Sequence, residues 1–160
     1  MTDARGSLRR AFIESDASPD GKWWVDVPAG LSLGEEGDHY TVDAVCLTDR
    51  EQELPEVYTA HAGTEYVNPE ADEAFGVTKA DLFETLRGTE RFAEETVTLV
   101  AFDPGAARVG TVGDLLAARE LIRADWPGWT VDELVYVSDT DRAHVTRAAK
   151  ELDVRVVRVA

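Results

Sequence analysis

The sequence predicts an α/β fold, a three-layer sandwich in which helices flank a mixed central sheet. Two observations support this prediction. In the first half, two apolar runs follow one another without a helical pattern between them, which is typical of a β-hairpin. In the second half, strand and helix patterns alternate, which requires right-handed crossovers between parallel strands. The length of 160 residues predicts a single domain over 1–160, with an irregular insertion at about 49–95.

The N-terminal part is predicted as a helix followed by two strands. Apolar residues at helical spacing after Ser7 predict a short helix that ends near the Ser-Pro-Asp-Gly turn at 18–21. Residues 22–27 are predicted as a strand that Pro28 ends, and residues 39–48 as a second strand. Alternation along this second strand predicts two faces. One face is predicted to carry Tyr40, Val42, Ala44 and Cys46.

The remaining elements follow from periodicity and from start and stop signals. Within the insertion, a strand at 56–61 is considered, and a helix at 78–87 is predicted from the capping-box spacing of Thr78 and Asp81. A second capping-box spacing, Ser138 with Asp141, predicts a helix that reaches Leu152. The other predicted elements are strands at 96–102, 132–137 and 154–159, and a helix at 111–125.

The charge of the chain is strongly acidic, with 32 Asp and Glu against 16 Lys and Arg and a net charge of −16. Lysine is scarce, which resembles the proteins of salt-accumulating halophiles. Simple solubility is the alternative explanation. At ordinary ionic strength such a chain repels nucleic acid and anionic membranes. Near molar salt the Debye length falls to about 3 Å, and the net charge then excludes neither partner.

Cysteine content and hydropathy limit the class of protein further. Cys46 is the only cysteine, which excludes a disulfide within the chain and a Cys-based zinc site. We expect it to act as a small buried apolar residue. No apolar run reaches 18 residues, so we expect a cytoplasmic protein without a membrane partner.

Three short motifs lie where the strand and helix patterns meet. Thr-Val-Asp-Ala-Val carries Asp43, Val-Ala-Phe-Asp-Pro-Gly spans 100–105, and Val-Gly-Thr-Val-Gly-Asp-Leu-Leu spans 109–116. With the order of elements over about 7–138, these motifs resemble the PD-(D/E)XK nuclease superfamily. The resemblance implies a restriction-endonuclease-like fold, with Asp43 as the acid of the second core strand and possible association with nucleic acid.

The motif departs from the superfamily at two positions. Ala101 occupies the position of the second acid, and Asp103 that of the lysine. Magnesium in such a site needs at least two carboxylates, and water needs a cation or metal to activate it. The resemblance therefore implies a degenerate or inactive nuclease site.

A divergent magnesium-dependent nuclease is the alternative. In it, Asp43 and Asp103 would bind Mg²⁺ as catalytic residues, assisted by Glu120, or by Glu14 or Asp114. Arg119 and Arg123 share one helix face and would contact phosphate. The competing interpretation is that both arginines pair with neighbouring carboxylates.

Two further hypotheses come from other classes of function. The first is an interaction module, a homodimer or partner-binding domain, that uses the Trp23–Trp24 strand or the 49–77 segment. Adjacent tryptophans on a strand face opposite sides, so this hypothesis needs one of them partly exposed, whereas core packing of both is the alternative. The second is a phosphate-cradling loop at 105–113, against a plain strand-to-helix turn. A metal site at His39 and His61 is set against ordinary strand positions.

Overall fold

The structure, a computed structural model, describes residues 4–33, 40–48, 66–67, 83–84, 86–88 and 90–159. The helices in this part of the chain are α1 (Ala4–Ile13), α2 (Val109–Asp125) and α3 (Ala143–Glu151). The strands are β1 (Lys22–Ala29), β2 (Tyr40–Leu47), β3 (Tyr66–Val67), β4 (Thr96–Asp103), β5 (Thr130–Ser138) and β6 (Val154–Arg158). The possible strand at 56–61 lies outside the described residues.

The six strands form one mixed sheet in the order β3-β1-β2-β4-β5-β6. The β1–β2 and β2–β4 pairs are antiparallel, whereas β4, β5 and β6 are parallel. The parallel strands are connected through α2 and α3, as the alternation of patterns in the second half predicts. The short strand β3 adds to the outer side of β1 in parallel orientation.

Helices cover both faces of this sheet. On one face, Leu8 and Phe12 of α1 pack in a cluster, called here the α1 cluster. Its other buried members are Trp23, Val25, Ala44, Cys46, Val100, Phe102, Val135 and Val137. On the opposite face, a larger cluster contains residues of α2 and α3 and is called the α2 cluster. Its members include Leu115, Ile122, Val145, Leu99 and Tyr136. The predicted sandwich, with helices on both sides of a mixed sheet, is confirmed.

The β1–β2 hairpin changes face at Asp26. This residue has a positive φ of 52°, a conformation that side chains other than glycine rarely adopt. Val25 belongs to the α1 cluster, whereas Val27 belongs to the α2 cluster. The paired strand changes face at the same level, since Ala44 lies in the α1 cluster and Val42 in the α2 cluster.

The predicted faces of β2 are wrong for this reason. Strict alternation would put Val42, Ala44 and Cys46 together, but Val42 packs on the opposite face from the other two. The burial of Cys46, in contrast, is confirmed.

Two predicted element ends are also wrong. Pro28 does not end β1, which continues to Ala29 and pairs there with β2. Since β3 pairs with β1 only at Trp23 and Trp24, the strand borders no described strand on that side at Pro28, where the missing N–H costs nothing. Ser138 does not cap α3, because its hydroxyl donates to the carbonyl of Asp103 (3.1 Å) and accepts from the Thr140 N–H (3.2 Å). The helix begins after Arg142.

The predicted helix at 78–87 is only partly within the described residues. Phe83, Glu84, Leu86 and Arg87 are helical, while Thr78 and Asp81 lie outside the described part. Phe83 and Leu86 are buried in the α2 cluster.

Trp23 and Trp24 are both buried, with 2% and 1% of their surfaces exposed. They face opposite sides of the sheet, as adjacent strand residues must, but each face is covered. Trp24 contacts Phe83, Phe92, Trp126 and Trp129 edge-on or tilted, with ring centroids 5.1–6.0 Å away. The core interpretation of this pair is therefore confirmed, and neither ring is available to a partner.

Candidate functional site at the junction of β2 and β4

Asp43 lies on β2 where this strand runs beside β4. Its Oδ2 accepts a hydrogen bond from the Phe102 N–H (2.9 Å), and its Oδ1 lies 3.4 Å from the Arg5 guanidinium of α1. Only 15% of its side chain is exposed. Burial raises the pKa of Asp43, while the Phe102 N–H and the charge of Arg5 act in the opposite direction. The carboxylate is thus held near α1, with too few donors to offset its desolvation fully.

A second acid, Asp26, accompanies Asp43 on the α1 side of the hairpin. Asp26 Oδ1 lies 3.8 Å from the Arg9 guanidinium. Arg5 and Arg9 are one helical turn apart, so one face of α1 presents both cations to the two acids. The negative charge of Asp26 contributes to the raised pKa of Asp43. These partly exposed ion pairs orient α1, whereas burial of Leu8 and Phe12 provides most of its docking energy.

Asp103, the last residue of β4, has a much richer set of donors. The Arg108 guanidinium binds it through two nitrogens, at 2.9 Å and 3.3 Å, and the hydroxyls of Thr111 and Tyr136 donate to Oδ2. Burial alone would raise the pKa of this carboxyl, but the hydrogen bonds from Arg108, Thr111 and Tyr136 outweigh it and lower the pKa below its usual value. Asp103 therefore stays ionised although its side chain is buried.

These contacts join three elements at the carboxyl end of the parallel strands. Tyr136 of β5 donates to Asp103 and accepts from the Arg108 N–H (2.7 Å), just before α2 begins. The pKa of the Tyr136 hydroxyl is raised by burial and by its bond to Asp103. A carboxylate beside the first turn of α2 is also favoured by the helix dipole. Asp103 thus ties β4, β5 and the start of α2 together.

Asp43 and Asp103 take their partners from opposite faces of the sheet. Asp43 contacts α1, while Asp103 contacts the start of α2 and Tyr136 of the α2 cluster. On the α1 side, β4 contributes the apolar Val100 and Phe102 to the neighbourhood of Asp43. Within the described ranges, no group of three or more His, Cys, Asp or Glu side chains could hold a metal ion. The role of the two aspartates as Mg²⁺ ligands stays a prediction.

The helix residues that were predicted to assist lie on exposed surface. Glu120 accepts hydrogen bonds from Arg119 (3.0 Å) and Arg123 (2.9 Å), all three on α2. The bond from Arg119, followed by the charge of Arg123, lowers the pKa of Glu120. The two arginines share this carboxylate, as the competing interpretation predicts. Glu14 and Asp114 are also exposed.

The glycine-containing loop before α2 uses its backbone donors internally. The Gly105 N–H donates to Asp139 (2.7 Å), the Ala107 N–H to Thr140 (3.3 Å) and the Arg108 N–H to Tyr136. Gly105 has a φ of 93°, which explains a glycine at this turn. The loop therefore acts as a strand-to-helix turn that is hydrogen-bonded to the β5–α3 connection.

Sequence reasoning missed Asp125, a buried acid at the end of α2. Its carboxylate accepts the backbone N–H groups of Gly30 (2.8 Å), Leu31 (3.1 Å) and Ser32 (2.8 Å). A carboxylate at a helix C-terminus is disfavoured by the helix dipole, which is the signal that could have singled it out. The partners of Asp103 carried no comparable signal, because Tyr136 is remote in sequence and Thr111 reads as an ordinary helix residue.

Other titratable groups near the hairpin are unsuited to nucleophilic chemistry at neutral pH. Burial, followed by the negative charges of Asp114 and Asp43, raises the pKa of Tyr40 to about 12. Burial raises the pKa of the Cys46 thiol to about 12 as well, so this thiol is not a nucleophile there. His39 and His61 lie outside the described residues.

Comparison with protein-family models, with curated proteins and with solved structures gives no match to this chain. None of the described helices combines the length and apolar character that crossing a bilayer requires.

Proposed function

We propose that this chain is a domain of restriction-endonuclease-like fold whose nuclease site is degenerate and that does not hydrolyse phosphodiester bonds. The order of elements supports the proposal. The helix α1, the β1–β2 hairpin, β4, α2 and β5 follow one another as the superfamily resemblance implies. Asp43 of β2 contacts the backbone of β4 at Phe102, inside the altered motif at 100–105.

One observation carries the proposal, namely the environment of Asp103 at the position of the superfamily's lysine. A lysine there would direct a positive charge at the phosphate. Here the position holds a carboxylate that Arg108, Thr111 and Tyr136 already bind. These donors make Asp103 part of the scaffold, so it neither supplies the missing cation nor offers its oxygens to a metal.

The remaining motif positions support the same conclusion. Ala101 has no side-chain oxygen and is 5% exposed. On the α1 side, Asp43 is accompanied by Asp26 of the hairpin and not by an acid of β4, and each of the two lies beside an arginine of α1. The altered motif therefore does not supply the two carboxylates that a catalytic Mg²⁺ site of this kind needs. A domain with this site would act by binding, and nucleic acid at high salt is the partner class that the resemblance implies.

A nuclease assay in molar KCl with Mg²⁺ or Mn²⁺ tests the proposal. We expect the wild-type chain and Asp43→Ala to leave supercoiled plasmid DNA and single-stranded RNA equally intact, while a salt-tolerant nuclease cleaves both in the same buffer. Asp26→Ala is the matched control, because Asp26 lies between the β1 residues that pair with Ala44 and Val42, at the level of Asp43, and also pairs with α1. Metal-dependent cleavage that Asp43→Ala abolishes and Asp26→Ala retains would establish a divergent nuclease instead.

A further inference from the structure

The C-terminal unit formed by α3 and β6 has a charge balance opposite to that of the whole chain. Residues 142–159 contain five cationic side chains and two carboxylates, a surplus of three positive charges, although the chain has a net charge of −16. The cations are Arg142, Arg147, Lys150, Arg155 and Arg158. The carboxylates are Glu151 and Asp153.

The strand of this unit, β6, is the last one in the sheet among the described strands and pairs only with β5. The Val159 N–H donates to the Ser138 carbonyl of β5 (3.0 Å). Because backbone groups alternate in direction along a strand, the N–H and C=O groups of Val156 and Arg158 point away from β5. This edge is a template for one more strand.

A groove of about 400 Å³ runs between this edge strand and α3. Six residues line it: Thr146, Lys150, Asp153, Val154, Arg155 and Val156. The side chains of Val154 and Val156 face the α2 cluster, and by alternation Arg158 points to the same side. An added strand would thus lie with one row of its side chains beside Lys150 and Arg158.

Arg142 donates to the Ala107 carbonyl (3.3 Å), and two other cations of the unit have neither an ion-pair nor a side-chain hydrogen-bond partner in the part of the chain that the structure describes. They are Lys150 and Arg158, both exposed. Their neighbours are paired, since Arg147 lies 3.5 Å from Glu151 and Arg155 binds Glu133 at 3.0 Å. In a chain with twice as many acids as bases, two unpaired cations beside an open strand edge indicate a surface that is complementary to external carboxylates.

We propose that the β6 edge and the groove beside α3 bind an extended acidic segment of a partner protein. The segment alternates acidic and apolar side chains, adds as a strand to β6, and places its carboxylates against Lys150 and Arg158. A second copy of this chain is a poorer occupant, because two β6 edges would bring the two cationic units together. Nucleic acid has no backbone N–H and C=O ladder to match the edge. This proposal goes beyond the proposed function and holds whether or not the chain cleaves nucleic acid.

Fluorescence anisotropy with a labelled, capped peptide of alternating Glu and Val tests the proposal. The full chain is titrated in KCl at the lowest concentration that keeps it folded. We expect saturable binding that Lys150→Glu and Arg158→Glu each weaken by about tenfold. The matched control is Arg147→Glu, the same charge reversal on the same helix but outside the lining of the groove, which should leave binding within about twofold.

Strand addition is tested separately from charge. Val156→Pro removes an outward N–H at an edge, where proline is tolerated, and should abolish binding while circular dichroism shows the native fold. If this variant does not fold, a peptide that is N-methylated at alternate residues serves instead, and one of its two registers should lose binding to the wild-type chain.

Four results would overturn the proposal. They are the absence of saturable binding, equal binding of a Lys-Val peptide, charge reversals without effect, and binding that survives the loss of the backbone donors. A single-stranded oligonucleotide that binds with the same dependence on Lys150 and Arg158 would make the surface a phosphate site. A concentration-dependent dimer that Val156→Pro dissociates would make the occupant a second copy. Both outcomes also reject an acidic partner segment.

Discussion

Asp43 and Asp103 show how two aspartates at neighbouring strands acquire opposite proton affinities. Both side chains are largely buried, which by itself favours the protonated form. Asp103 receives hydrogen bonds from Arg108, Thr111 and Tyr136, whereas Asp43 receives one backbone N–H and a long contact from Arg5. The number and strength of the donors, and not burial alone, decide the sign of the shift in pKa.

This difference predicts opposite effects of removing each charge. At neutral pH, Asp103→Asn should lower the free energy of unfolding by about 2–4 kcal/mol, because a buried network loses its charged acceptor. Asp43→Asn should leave the free energy of unfolding unchanged or raise it, because it removes a poorly solvated charge while its amide oxygen still accepts from Phe102. Chemical denaturation in KCl measures both values.

The pH dependence follows from the same pKa shifts. The folded-state pKa of Asp103 lies below the usual value for an aspartate, so its stabilisation is present above that usual value and is lost as the pH falls through the lowered pKa. The folded-state pKa of Asp43 lies above the usual value for an aspartate, so its ionised form disfavours the fold, and stability rises as the pH falls through the raised pKa. If the free energy of unfolding varied with pH identically in the wild type and in Asp43→Asn around the raised pKa, the raised pKa of Asp43 would be contradicted.

At the scale of elements, Asp125 fastens the connection after β1 to the end of α2. The carboxylate accepts three consecutive backbone N–H groups, from Gly30 to Ser32, which offsets its unfavourable position at the helix C-terminus. The Arg87 guanidinium reaches the same helix end and donates to the Asp125 carbonyl (2.9 Å). This arrangement joins the hairpin to the helix layer on the α2 side.

We expect Asp125→Ala to lower the free energy of unfolding by about 2–4 kcal/mol, because three buried or half-buried N–H groups lose their acceptor. Native-state hydrogen exchange should also quicken at Gly30, Leu31 and Ser32. Asp132→Ala, which removes an exposed acid of β5, is the control and should change stability by less than about 0.5 kcal/mol. Equal effects of the two substitutions would show that the contacts of Asp125 contribute nothing.

The sequence predicted the elements better than their contacts. The parallel half was predicted closely, because apolar runs and helical periods there are long and connection lengths leave few topologies. The faces of β2 were predicted wrongly. Strict alternation assumes that a strand keeps the same two faces along its length, but the hairpin changes face at Asp26, which has a positive φ. The hydrogen-bond partners of Asp103 were not predicted either, since they come from Tyr136 and Thr111, which no local spacing connects with it.

At the scale of the whole molecule, the net charge of −16 opposes the compact state in dilute salt. The few cations do not neutralise it, and several of them serve internal contacts, as Arg108 does for Asp103. The repulsion between the remaining carboxylates therefore has to be screened by salt ions in the solvent.

We expect the midpoint of thermal unfolding to rise as KCl increases from about 0.1 M to about 1 M, because the Debye length shortens from about 10 Å to about 3 Å over this range. Circular dichroism measures the midpoint, and an uncharged osmolyte at matched osmolality is the control. A midpoint that is the same at both KCl concentrations would remove the basis for relating this composition to a saline interior.

The change of face at Asp26 has a consequence for how the chain finds its fold. A one-residue slip between β1 and β2 would separate the two positions at which the strands cross from one cluster to the other. Apolar side chains of one strand would then meet a partner strand that had not yet crossed, and both clusters would lose residues to the wrong layer. The change of face at Asp26 therefore favours the native register of the hairpin over registers that are shifted by one residue during folding.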